Sequence, residues 1–330
     1  YAGGRRHGEW TFFQTDGTRI KVAAFAPAHG LNPQVQLQYA ANRLVVVRQL
    51  HYDPTAPDLS LDLALFVNGI PVVTAELKNA MTGQTVVHAK KQYRTDRSPD
   101  APIFRFKRGA LVHFAVDTDV AEMTTRLRRS QTFFLPFNRG HGTGAGNAPE
   151  PGKHRTFYLW EQVWQRDSLL DILGRFMHLQ VEETKAASGR PRQRETMIFP
   201  RYHQLDAVRT LVLAARAGGA GTNYLVQHSA GSGKSNSIAW LAHRLSSLHD
   251  AADQRIYHSV IVLTDRRVLD RQLQDTIYQF DHKAGVVEKI DKRSDQLAQA
   301  LASGTPIIIS TIHKFGFIHG QIEGLPDRRY

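Results

Sequence analysis

Asp62, Glu76 and Lys78 stand in the spacing D-x13-E-x-K. Two carboxylates converging beside a hairpin can hold one or two Mg2+ ions, because hard cations prefer carboxylate oxygens. Such an ion lowers the pKa of a bound water and stabilises charge on a phosphate in transfer, and a nearby lysine can orient that water. The same three charges also fit an ordinary solvated hairpin face. A second set is His228-Ser229-Ala230-Gly231-Ser232-Gly233-Lys234-Ser235. It follows the G-x-x-x-x-G-K-[ST] pattern of a P-loop, with His228 in place of the first small residue. The backbone N–H groups of such a loop cradle phosphate, and the following helix adds its positive end. Gly231 and Gly233 let the backbone curl, with Ser232 between them. Lys234 reaches the outer phosphates, and Ser235 holds the nucleotide's Mg2+.

The elements around the first set are legible. Leu59, Leu61, Leu63, Leu65 and Val67 alternate with Ser60, Asp62, Ala64 and Phe66, which predicts a strand. Asn68-Gly69 marks a tight turn, and a second strand follows from Pro71 to Lys78, with Glu76 and Lys78 on one face. A two-residue turn would make paired residue numbers sum to 137 and put Asp62 and Glu76 on opposite faces. A three-residue loop, Val67-Asn68-Gly69 with a G1 bulge, gives a sum of 136 and one shared face. The site therefore requires an even register, and 136 is the expected one.

Leu44 to Leu50 and Ala110 to Val116 read as buried strands, and Gln131 to Phe137 as extended. Thr82 to Arg97 reads as a helix whose Lys90, Lys91, Arg94 and Arg97 either contact phosphates or make a solvated face. Arg139 to Lys153 is glycine-rich and expected to be a flexible connection, and Trp160 to Gln180 has helical periodicity. Around the second set, Tyr224 to Gln227 is expected as the strand before the loop and Ile238 to Leu248 as the helix after it. Strands at Ser259–Leu263 and Pro306–Ser310, with a helix over Val268–Phe280, complete a parallel doubly wound pattern.

The chain has 330 residues, enough for two domains, and is 42% hydrophobic. It has no cysteine, which excludes disulfides and thiolate metal sites. No apolar run reaches membrane-spanning length. A net charge of +12 points to a polyanionic partner, nucleic acid first.

With these residues in view, the chain resembles the R subunit of type I restriction enzymes, the motor and nuclease subunit. Asp62 with Glu76-Leu77-Lys78 resembles the family's PD-(D/E)xK signature, and Gln92 the glutamine that follows it. Four residues beyond Gln92 stands Asp96 where the family often has tyrosine; Tyr93 is adjacent instead. Phe133 to Asn138 and Tyr158-Leu159-Trp160-Glu161 are also similar to that N-terminal region. Arg201-Tyr202-His203-Gln204 resembles the adenine-reading motif of superfamily 2 helicases, and His228 is usual in this family's P-loop. Thr264 to Arg267 and Ser310 to His313 resemble the motifs Ia and Ib that touch the DNA backbone.

The resemblance implies an α/β chain: a PD-(D/E)xK nuclease-like mixed sheet flanked by helices over residues 1–185, a basic linker at 186–196, then the first RecA-like motor lobe over 197–330. It implies Mg2+ and ATP as cofactors, with S-adenosylmethionine only through partner subunits. Double-stranded DNA and the modification (M) and specificity (S) subunits are the implied partners, in a bacterial or archaeal cytoplasm without membrane attachment. Asp62, Glu76 and Lys78 would be catalytic in a type I site-specific deoxyribonuclease that couples ATP-driven translocation to DNA cleavage. Asp62 and Glu76 would hold metal. Gln204 would read adenine. No D-E-x-H box precedes Tyr330, so these residues are expected to be a fragment, truncated before the Walker B box, without ATPase activity of its own. The rival reading is a superfamily 2 DNA motor of a repair or other defence system whose N-terminal domain binds DNA without cutting it.

Overall fold

The computed structural model describes residues 9–13, 19–27, 30, 32–185, 191–264, 273, 274, 276, 277, 286–290 and 294–317. The chain divides into two compact units. One comprises Tyr1–Pro27, Asn32–Met177 and Thr196–His203; the other comprises Ala28–Leu31, His178–Glu195 and Gln204–Tyr330.

The first unit opens with an antiparallel hairpin, β1 (Glu9–Phe13) and β2 (Arg19–Ala24), and a short helix, α1 (Pro33–Ala40). Asn32 caps α1 by accepting from the N–H groups of Gln34 and Val35, and Pro33 sits in the first turn, where its missing N–H costs nothing. The main sheet has the order β3-β4-β5-β6-β7-β8. Its strands are β3 (Leu44–His51), β4 (Ser60–Val67), β5 (Ile70–Leu77), β6 (Val112–Val116), β7 (Ala121–Thr124) and β8 (Leu135–Pro136). Only β5 and β6 pair in parallel, across a crossover that carries α2 (Val86–Thr95), so the sheet is mixed. Thr85 and His88 form a reciprocal cap at the start of α2. The helix buries Val86, Ala89 and Tyr93 against Leu61, Phe104 and Ala115.

β3 differs from expectation. It is the sheet edge, and Val45 and Val46 are exposed. A continuous apolar run shows that a strand forms, but not whether both its sides find a neighbour. The helix expected from Trp160 to Gln180 is instead broken. Two π-turns, Leu159–Val163 and Ile172–Phe176, flank α3 (Arg166–Asp171), and an extended Gln165 interrupts the run. The apolar period still buries Val163, Leu170, Leu173 and Phe176. The glycine-rich stretch 139–153 is a loop fastened within its unit. Asn147 donates to Asp119 O and Asn138 Oδ1 and accepts from the Arg139 N–H.

In the second part of the chain β9 (His178–Lys185) and β10 (Pro191–Ile198) form an antiparallel ribbon. Of the expected linker, 186–190 lies outside the described residues, and 191–196 lies in β10. Helices α4 (Tyr202–Gly218) and α5 (Lys234–Ser246) follow, then β11 (Val260–Thr264), β12 (Val287–Lys289), α6 (Ser294–Ser303) and β13 (Ile307–Thr311). The sheet order is β11-β13-β12, all parallel. Ile307 and Ile309 pack with Ala239 and Ala242 of α5 on one face, and Ile308 packs with Leu297 and Leu301 of α6 on the other. Period-2 side chains thus bury both faces, as a doubly wound sheet requires. The strand expected at Tyr224–Gln227 is absent, and Leu225 is 91% exposed. A strand exists by pairing rather than by propensity, and among the described residues no ladder reaches this run. Asp265 to Arg267 and most of the helix expected over Val268–Phe280 lie outside the described residues.

Candidate metal centre and nucleotide loop

The hairpin that carries the first site starts in the two-residue register considered from sequence and does not keep it. Asn68 and Gly69 take φ of 50° and 85°, and Val67 pairs with Ile70, so the turn has two residues and the sum is 137. The register then shifts. Leu65 pairs with Val73, Ala64 with Thr74 and Leu63 with Ala75, a sum of 138. The extra residue, Val72, follows Pro71, which has no N–H for the ladder and suits a bulge. The expected sum of 136 is therefore corrected to 138. The parity is even, as the site requires, but a bulge inside β5 supplies it rather than a bulge at the turn.

Asp62 leaves β4 half-buried. Its Oδ2 accepts from the Leu77 N–H at 2.8 Å and lies 3.4 Å from Lys78 Nζ. Burial pushes the Asp62 carboxyl up, but the Leu77 N–H and the Lys78 charge outweigh it and hold the group below its ordinary value. Glu76 is fully buried. Its Oε1 accepts from Arg97 Nε at 2.7 Å, and Arg97 Nη2 is 2.7 Å from the same oxygen. Its Oε2 is buried and accepts no hydrogen bond. Burial, opposed by Arg97 and reinforced by the neighbouring Asp62 charge, pushes Glu76 up to about 7. Lys78 continues β5 by donating its N–H to Val116 O, and its side chain is only 9% exposed. The structure thus brings Asp62, Glu76 and Lys78 together.

Two further residues of this site gave no usable signal in the sequence. Arg97 lies just beyond α2, also donates to Ser60 O at 2.7 Å, and stacks over the Tyr52 ring. It was one of four basic residues expected to face phosphate or solvent, and that expectation is corrected for three of them. Lys90 bonds Glu122 at 2.6 Å and Arg94 bonds Thr132 O at 3.1 Å, while Arg97 holds Glu76; Lys91 alone is exposed. Gln49, in β3, donates to Asp62 Oδ1 at 3.2 Å. Gln92 is half-buried in α2 with its Oε1 unpartnered, and Tyr93 bonds Thr74 at 2.9 Å.

The residues present fit a hard divalent cation. Two carboxylates face each other, one of them offers a buried oxygen with no donor, and Mg2+ commonly takes one or two carboxylates and completes its shell with water. No group of three or more His, Cys, Asp and Glu gathers around an ion-sized space among the described residues. A two-carboxylate site for Mg2+ does not need one.

In the second unit Gly231 and Gly233 take φ of 71° and 81°, the left-handed backbone for which glycine suits the loop. Lys234 begins α5, and its Nζ donates to His228 O at 3.1 Å and Ser229 O at 2.9 Å, so the ammonium lies over the loop. Ser232 is buried within it. Gln204, on α4 and 3% exposed, donates to Gly233 O at 2.9 Å and so joins the loop. Ser235 lines, with Lys234, a cleft of about 730 Å3 between α5 and β11. Ser310 and Thr311 end β13, with Ile312 and His313 exposed beyond them.

Fold and sites define an α/β protein with a two-carboxylate centre in one unit and a P-loop-patterned turn in the other. Residues 31–132 match the family described as type I restriction enzyme R protein N terminus, and residues 203–329 match the SWI2/SNF2 ATPase family. The chain is 24% identical over 288 residues to the type I restriction enzyme HindI endonuclease subunit of Haemophilus influenzae, covering 83% of this chain and 25% of that protein. It is 23% identical over 279 residues to the SauCOLORF180P endonuclease subunit of Staphylococcus aureus, covering 84% of this chain and 26% of that one. The chain is similar to the endonuclease, or R, subunits of type I restriction enzymes, and spans about a quarter of the length of the two it matches here.

Proposed function

We propose that the first unit is a PD-(D/E)xK-type nuclease that cuts double-stranded DNA with Mg2+, and that the second is part of a RecA-like lobe that binds ATP for translocation. The observation that carries the nuclease reading is the buried, donor-free Oε2 of Glu76 beside Asp62, with Lys78 3.4 Å from Asp62. Asp62 and Glu76 would hold the ion, which supplies an acidified water and charge stabilisation for the scissile phosphate. Arg97 fixes Glu76 so that one oxygen is occupied and the other is presented. Lys78 orients the attacking water. In the second unit the loop N–H groups and Lys234 would bind the nucleotide's phosphates, Ser235 its Mg2+, and Gln204 its adenine. Within a restriction complex the modification and specificity subunits would supply site recognition, and a bacterial or archaeal cytoplasm is the setting such a complex needs. Anomalous diffraction from crystals grown with Mn2+ tests the centre. The expected result is a peak shared by Asp62 and Glu76 Oε2; an ion bound elsewhere, with these carboxylates bare, contradicts it.

A further inference from the structure

Gln49 has φ of +48°, a conformation that residues other than glycine rarely adopt and that is foreign to a strand. Register does not demand it. Arg48 pairs with Leu63 and Leu50 with Leu61, the same sum on either side, so no residue is inserted. The backbone leaves extended geometry at one residue and returns without changing the pairing of β3 with β4. What the departure accomplishes is visible in the side chain. Gln49 Nε2 donates to Asp62 Oδ1 at 3.2 Å, and Gln49 Oε1 accepts from Ser60 Oγ at 3.1 Å. The amide is thus oriented at both ends: the Asp62 carboxylate can only accept, so the nitrogen faces it, which leaves the oxygen to accept from the Ser60 hydroxyl. With the Leu77 N–H and Lys78 on Oδ2, both oxygens of Asp62 are oriented by donors from different strands. Strained backbone persists where the surroundings fix it, and it concentrates at functional sites.

We infer that Gln49 is a positioning residue, whose Ser60-anchored amide fixes the Asp62 carboxylate toward the divalent cation. This rests on the proposed metal centre and names the residue that orients one of its ligands. Groups that hydrogen-bond a metal ligand are worth roughly 10- to 100-fold in metal affinity.

The test is Mn2+ binding to the chain, read as loss of the free-ion electron paramagnetic resonance signal, for wild type, Asp62→Asn, Gln49→Ala and Gln49→Gly. Gln49→Ala removes the amide and keeps the unfavourable φ; Gln49→Gly removes the amide and relieves it. Both should weaken binding by about tenfold or more, while thermal stability separates them, with Gly above Ala. A merely structural kink predicts that Gln49→Gly binds Mn2+ as wild type does, and that result overturns the inference while leaving the centre standing. Binding that survives Asp62→Asn, or no binding by wild type, overturns the metal centre itself and the inference with it.

Discussion

Glu76 is the residue on which the first unit turns. A fully buried carboxylate is tolerated because Arg97 neutralises it through one oxygen. Removing that partner strands the charge. Arg97→Ala should cost about 3–5 kcal/mol in urea unfolding, the usual penalty for breaking a buried pair from one side. Glu76→Gln in the same chain should recover part of it, because the two residues act as one unit. Costs that simply add would contradict a direct pairing. Asp62 differs because two donors from separate strands and a neighbouring lysine hold it charged.

At the scale of elements, β4 and β5 were legible as a hairpin because alternation and Asn68-Gly69 depend on local chemistry alone. The pairing that unites the carboxylates was not, because it depends on a bulge. Its one local signal is Pro71, a residue that cannot donate to the ladder and so marks where pairing shifts. Arg97 was readable as basic, but its partner lies 21 positions away and no periodicity connects them. Gln49 gave no signal, since nothing in an apolar run announces a left-handed residue. Tyr224–Gln227 failed for the opposite reason: its propensity was visible, and its pairing was not met. β6 supplies a prediction of its own. His113 is fully buried, donates or accepts with Thr74 at 2.8 Å, and burial lowers its pKa from 6.5 to about 3. Between those values the unfolded chain binds a proton that the folded chain refuses. This contribution to stability is therefore complete above pH 6.5 and lost progressively as pH falls toward 3. Replacing His113 with Asn should flatten the stability–pH slope in that window by up to about 1.4 kcal/mol per pH unit. An unchanged slope would contradict the buried neutral imidazole.

The whole chain carries a net charge of +12 and divides into two units. The proposed binding to duplex DNA should be electrostatic, so that affinity measured by fluorescence anisotropy falls steeply with added salt and varies little with sequence. Affinity independent of salt would contradict that. The proposed separation of cutting from ATP use is tested in the full-length protein, assembled with the proposed modification and specificity subunits, by following plasmid cleavage and ATP hydrolysis together in Mg2+. Glu76→Ala and Lys78→Ala should each abolish cleavage and leave hydrolysis near the wild-type rate, whereas Lys234→Ala should abolish hydrolysis. Plasmid cut by Glu76→Ala at the wild-type rate would contradict the assignment of the chemistry to this centre.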